Sequence, residues 1–191
     1  MELTRSIVEA EARAYREHAP LAVVEAENVE TLPGAFASGE YGRRDAAWVV
    51  RWYYRRFLGE YPDDERRDAE DRFWNNEFDA VRAAVGDAVH ADDAAAGVES
   101  LTCLEGVDVP VASAFLAFVA PEEYVVVGPR TWSTLEAAGE LERVYPDPPS
   151  IPAYETYLER CHELADRFDC DPWTLYTALF RLGDVGHRDP V

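Results

Sequence analysis

Apolar positions recur at helical spacing along most of the chain. Residues 3–18 carry one such stripe, and a shorter one covers 21–32 before Pro33-Gly34, a pair that predicts a break. Asp45 can cap a helix running to Leu58, with Gly59 just beyond its end and Trp48, Val49, Trp52, Tyr53 and Phe57 on its apolar face. After Pro62, Asp63-Asp64-Glu65 put acid at the positive end of a helix dipole. Helical spacing then continues past Phe73, Trp74, Phe78 and Val81 to Val85, with Asn75-Asn76 as the place for an interruption.

The second half reads the same way. Helices are predicted over 92–103, from Pro110 through Val119, around Trp132 and Leu135, over 154–168, and from Asp171-Pro172 to Gly183. Tyr124-Val125-Val126-Val127 is extended in character and Gly128-Pro129 turns the chain, while Pro146, Pro148, Pro149 and Pro152 form a stiff linker. The expectation is an all-α fold of eight or nine helices in a single domain over 1–183, followed by a flexible tail at 184–191.

Composition narrows the chemistry. The chain of 191 residues has 38 acids and 18 basic residues, every one an arginine. Without a lysine there is no side-chain amine for a Schiff base, a pyridoxal anchor or a phosphate-binding loop. The 48% hydrophobic content is too high for a disordered chain, and no apolar run is long enough to span a bilayer, so no membrane is expected. The N-terminal dozen residues lack the layout of a signal peptide, which predicts a cytoplasmic protein. Cys103, Cys161 and Cys170, with no CxxC pair, read as plain thiols, mostly buried. His18, His90, His162 and His187 are scattered, and neither a metal nor a cofactor is implied.

A net charge of -20 suits a salt-loaded cytoplasm, where surface acid is screened and acts as a solubility device. The acid is unevenly spread. Between Arg43 and Arg82 nine arginines meet ten acids, and Arg44, Arg51 and Arg55 share one helical stripe. That stripe is either a solvated face with ion pairs or a surface that meets phosphate.

The most informative stretch runs Leu104-Glu105-Gly106-Val107-Asp108-Val109-Pro110-Val111-Ala112 between two predicted helices, then on to Tyr124-Val125-Val126-Val127-Gly128-Pro129-Arg130-Thr131-Trp132. It resembles the helix-hairpin-helix DNA glycosylase superfamily, in particular 8-oxoguanine DNA glycosylase-like proteins, over roughly residues 45–183. Leu104, Gly106, Val107 and Ala112 match the Leu-Pro-Gly-Val-Gly hairpin and the helix that follows it. Val127 and Trp132 match the landmark twenty residues on.

The resemblance implies two lobes around a groove with the hairpin at its mouth. It also implies double-stranded DNA as partner and a monomer. Gly106, Val107, Asp108, Pro110, Val111 and Ala112 would hold a DNA phosphate on backbone N–H groups, with Arg130, Arg51 and Arg55 as further phosphate contacts. Trp132, Trp52 and Tyr53 would be the rings available to stack an extruded base.

The chain departs from the family where the chemistry is done. Gly128 stands in the position of the catalytic Asp, Pro110 near that of the lysine nucleophile, and Asp108 in place of the hairpin's second Gly. The expected function is therefore DNA binding without standard catalysis. Two alternatives stand beside it: an active monofunctional N-glycosylase using a relocated carboxylate, from Glu122, Glu123 or Glu136, and a helical protein-interaction domain that does not bind DNA.

Overall fold

A computed structural model describes residues 1–186 as ten helices: α1 (Arg5–His18), α2 (Ala22–Ser38), α3 (Arg43–Arg55), α4 (Asp63–Asn75), α5 (Phe78–Val89), α6 (Ala94–Thr102), α7 (Val109–Val119), α8 (Pro129–Ala137), α9 (Ile151–Phe168) and α10 (Pro172–Gly186). The fold is all-α, with no strand among the described residues; Tyr124-Val125-Val126-Val127 belongs to no helix and forms no strand pairing among the described residues. No helix is long and apolar enough to cross a membrane.

Short polar side chains start many of these helices by accepting an otherwise orphaned N–H. Asp93 accepts from Ala96 N at 2.8 Å, Asp108 from Val111 N at 3.0 Å, and Asp171 from Thr174 N at 2.8 Å. Asp45 acts from inside α3 instead: its carboxylate accepts the Gly42 N–H at 2.8 Å, so the helix begins at Arg43.

Predicted helix ends move at Pro33, at Gly183 and at Leu58, where α3 stops at Arg55 instead, while the expected interruption at Asn75-Asn76 is present. Pro33 does not end α2, because Leu32 and Phe36 on either side of it are both buried and hold the helix in place to Ser38. The long stripe after Pro62 divides at Asn76, whose backbone is extended and whose side chain caps the end of α4; this division brings the count to ten helices. Gly183 does not end α10: a Cβ there would meet the Arg130 carbonyl oxygen at 2.5 Å, so the glycine serves a close approach of α10 to α8. Of the tail predicted at 184–191, residues 184–186 are helical and 187–191 lie outside the described residues.

α7 is the central helix. From Pro110 to Phe118 every residue is buried, as its all-round apolar sequence requires. α10 packs between α1 and α8, with Tyr15 edge-on to Phe180 and Arg181 paired to Glu11 at 2.8 Å. Of the three thiols only Cys161 is buried; Cys170 is half-buried and Cys103, at the end of α6, is exposed.

Candidate functional site

The hairpin between α6 and α7 is held from below by α4. Gly106 has φ +78°, the left-handed region that glycine enters without strain. A Cβ on it would also strike the Ala69 carbonyl and come within 2.7 Å of Phe73 N. Asn76 stitches the hairpin to the α4–α5 break: its Nδ2 donates to the carbonyl of Glu105 at 3.0 Å, and its Oδ1 accepts the Glu105 N–H at 3.0 Å. Val107 N donates back to Leu104 O at 3.2 Å, and Val111 N to Asp108. Several hairpin donors are thus already engaged within the chain.

Asp108 keeps contact with solvent as a residue, while its carboxyl folds in against the start of α7. That desolvation raises its pKa, against the N–H bonds it accepts; neighbouring Asp147 adds to the rise and Arg72 opposes it.

From α7 the chain returns through the extended segment to α8. Ser113 donates to Pro110 O and accepts Val127 N at 3.0 Å, and the Tyr157 hydroxyl donates to Val126 O at 3.0 Å. These bonds deliver Gly128 to the N-cap of α8, where it is buried and extended.

Gly128 faces an arginine. A Cβ on residue 128 would lie 3.0 Å from Arg56 Nη2, 3.6 Å from the Tyr53 hydroxyl and 3.9 Å from Phe57. The Arg56 guanidinium sits among Trp52, Tyr53, Phe57, Tyr176 and Phe180, with ring centroids 4.2–5.6 Å away. Arg56 is 3% exposed, and among the described residues the one hydrogen bond of its guanidinium runs from Nη1 to the Tyr176 hydroxyl at 2.8 Å. Nε and Nη2 are buried and have no acceptor among the described residues.

Glu25 lies in the same polar interior. Its Oε1 accepts the Tyr15 hydroxyl at 2.9 Å and Trp52 Nε1 at 2.7 Å, while Oε2 has no partner among the described residues. Burial holds this carboxyl above the ordinary carboxylate range, against the two bonds and the field of Arg56, which pull it down. Where the resemblance implies a carboxylate, this chain has a caged cation, and its buried acid comes from α2.

Beside Arg56 opens a cavity of about 200 Å³ that also reaches Arg130, Arg181, His18, Leu58 and Phe180. Arg130 is 6% exposed and lies over Phe57 and Phe180 at 5.3 and 4.8 Å. It is ion-paired with Glu60.

No family model, curated protein or solved structure matches this chain.

The structure disperses the other site residues expected from the sequence. Trp132 is buried, stacked on Tyr157 and donating from Nε1 to Arg143 O at 2.7 Å; Trp52 and Tyr53 are buried in the Arg56 cage. In this arrangement none of the three offers a ring face to solvent. Pro110, Val111 and Ala112 are core residues of α7, and Val107 is buried as well. Arg51 is paired with Glu70 at 3.6 Å, and Arg55 is exposed beside a shallow concavity with Tyr61 and Arg66. Glu122 and Glu123 are exposed after α7 and Glu136 is half-buried on α8, none of them among the groups nearest Gly128. Glu122 instead shares a second cavity, of about 430 Å³, with Glu25.

Sequence reasoning missed Arg56 and Glu25. Each occupies an apolar helical stripe, Arg56 with Trp52 and Tyr53, and Glu25 with Val29, Leu32 and Phe36. A charge lying on such a stripe was the available signal.

Proposed function

We propose that this protein is a DNA-binding relative of the helix-hairpin-helix DNA glycosylases that has lost the superfamily's reaction chemistry. The observation that carries the reading is an order of elements: α6, a tight turn at left-handed Gly106, α7, an extended return, and a buried residue 128 at the mouth of α8. The glycosylase resemblance, the two lobes and the groove belong to this proposal. Loss of chemistry is supported by Gly128 and by the absence of lysine, which removes both the carboxylate and the amine.

Duplex would approach along the hairpin and the exposed arginines of α3 and α4. Arg55 is exposed there, and Arg51, Arg67 and Arg72 carry pairs to acids that water and salt already loosen.

One specific observation favours a second reading, a helical interaction protein without DNA. The Asn76 clasp and the Asp108 carboxyl occupy hairpin donors that a phosphate would need.

Fluorescence anisotropy with duplexes carrying 8-oxoguanine, uracil or an abasic analogue separates the readings, in potassium chloride from 0.2 to 2 M with alkali treatment to reveal base loss. The expected result is binding without base release, weakened at least tenfold in an Arg51→Glu, Arg55→Glu double variant and strengthened in Asp108→Asn. Absence of binding at every salt concentration would sink the DNA reading in favour of the interaction protein, and base release would sink the claim of lost chemistry.

A further inference from the structure

We infer that the cleft between α9 and the chain segment 140–146 is a docking site for a short extended segment of a partner protein, one in which basic side chains alternate with apolar ones. This does not rest on the DNA reading, because neither wall of the cleft includes the hairpin or an arginine of α3 or α4.

The cleft holds about 580 Å³, and the register of α9 gives it length. Ala153, Thr156, Glu159 and Glu163 line it at spacings that share one helix face. From the first to the last of them the helix rises about 15 Å, the reach of four or five residues of extended chain. The opposite wall is the non-helical stretch from Glu140 to Pro146, tied to α8 by the bond from Trp132 Nε1 to Arg143 O at 2.7 Å.

This surface is reachable. Glu142, Val144, Thr156 and Glu159 are all exposed, Val144 at 73%, and half-buried Pro146 and Ala153 add apolar surface to the same cleft. An apolar strip left in water between polar rims is the pattern of a surface that another chain covers.

Charge selects the occupant. Four acids and two arginines line the cleft. Arg160 is engaged within the chain, 2.6 Å from Glu163 and 3.7 Å from Glu140, and Arg167 holds Glu140 at 2.7 Å. Glu142 on one wall and Glu159 on the other have no ion pair among the described residues, against Arg143 as the one lining cation without a pair. Carboxylates on both walls with apolar surface between them complement cationic side chains flanking an apolar one. An acidic segment would meet like charge on both sides.

The test is fluorescence anisotropy in 0.5 M potassium chloride with three dye-labelled peptides, Arg-Leu-Arg-Leu-Arg, Arg-Gly-Arg-Gly-Arg and Glu-Leu-Glu-Leu-Glu. The first is expected to bind saturably and at least tenfold more tightly than either of the others. A Glu142→Arg, Glu159→Arg double variant should weaken it at least tenfold. A Glu27→Arg, Glu30→Arg double variant, which makes the same change in net charge at exposed positions of α2, should leave it within twofold. Val144→Ser, which removes apolar surface and leaves the charge alone, should weaken it at least threefold. Absence of saturable binding by the first peptide would overturn the inference. So would equal affinity for the Arg-Gly peptide, or equal loss in the two double variants, since either reduces the binding to general attraction toward an acidic chain.

Discussion

Gly128 and Arg56 share one space: the side chain that residue 128 lacks would point into the guanidinium, with its Cβ 3.0 Å from Nη2. Residue 128 is extended, with φ -175°, so its backbone accepts any side chain and only the space is contested. An Asp at this position would set a carboxylate against a buried cation.

Gly128→Asp and Gly128→Asn crowd the guanidinium almost equally and differ in charge. The Asp variant should be more stable than the Asn variant by about 1.5–3 kcal/mol at pH 7, the range for hydrogen bonds to charged groups. Chemical denaturation of both variants measures the difference, and an Asn variant of equal or greater stability would show that Arg56 is already fully compensated.

Two glycines should respond in opposite directions to alanine. At Gly106 the left-handed backbone and the collision with α4 add together, so Gly106→Ala should cost about 3 kcal/mol. Gly86 lies inside α5 with nothing within 4 Å of a new Cβ, and Gly86→Ala should stabilise by about 0.5–1 kcal/mol. Urea midpoints of the two variants against wild type decide the matter; similar midpoints would mean that the hairpin is not anchored on α4.

The buried acid gives a pH dependence of known sign. Because burial raises the Glu25 carboxyl, the folded state favours its proton more than the unfolded chain does. The stability it contributes is fully present below the ordinary glutamate value, about 4.3, and is lost as pH rises through the higher folded value. Glu25→Gln keeps the shape and cannot titrate, so its Tm should gain on the wild type as pH rises from about 4 to 7. A constant gap between the two melting curves across that range would refute the assignment.

The thiols should differ sharply in reactivity. Burial pushes Cys161 up to about 12 and half-burial, with Asp171 beside it, pushes Cys170 up to about 11, whereas Cys103 is exposed. Ellman's reagent at pH 8 should therefore titrate one thiol quickly in the native protein and three after unfolding, and Cys103→Ser should remove the fast phase. Fast reaction of a second thiol that persists in Cys170→Ser would identify it as Cys161 and show that α9 opens readily.

Much of the scaffold was readable because its signals are local. Asp171-Pro172 starts α10, Pro110 fits the first turn of α7, and Asn75-Asn76 marks the break between α4 and α5, each through backbone chemistry that needs no distant partner. The misread boundaries were decided at long range. Pro33 survives inside α2 because Leu32 and Phe36 are buried in the core, and Gly183 is needed by a carbonyl on α8 rather than by a helix end. The candidate site was least legible. In the pair Arg55-Arg56 one arginine faces solvent and the next is sealed in rings from α3 and α10, some 120 residues apart in sequence, as the Arg56–Tyr176 bond records. Trp52 and Tyr53, two of the three aromatics read as stacking surfaces, form part of that wall.

The packing of α10 between α1 and α8 also bears on how the chain is made. α1 finds Phe180 and Arg181 only across more than 150 residues of intervening sequence, as the separation of 170 in the Glu11–Arg181 pair shows. During synthesis at roughly 5–20 residues per second, α1 waits on the order of ten to thirty seconds for α10 to emerge. Throughout that interval Tyr15 and the Arg56 cage lack the wall that α10 provides, so the cavity beside Arg56 cannot close before α10 is made.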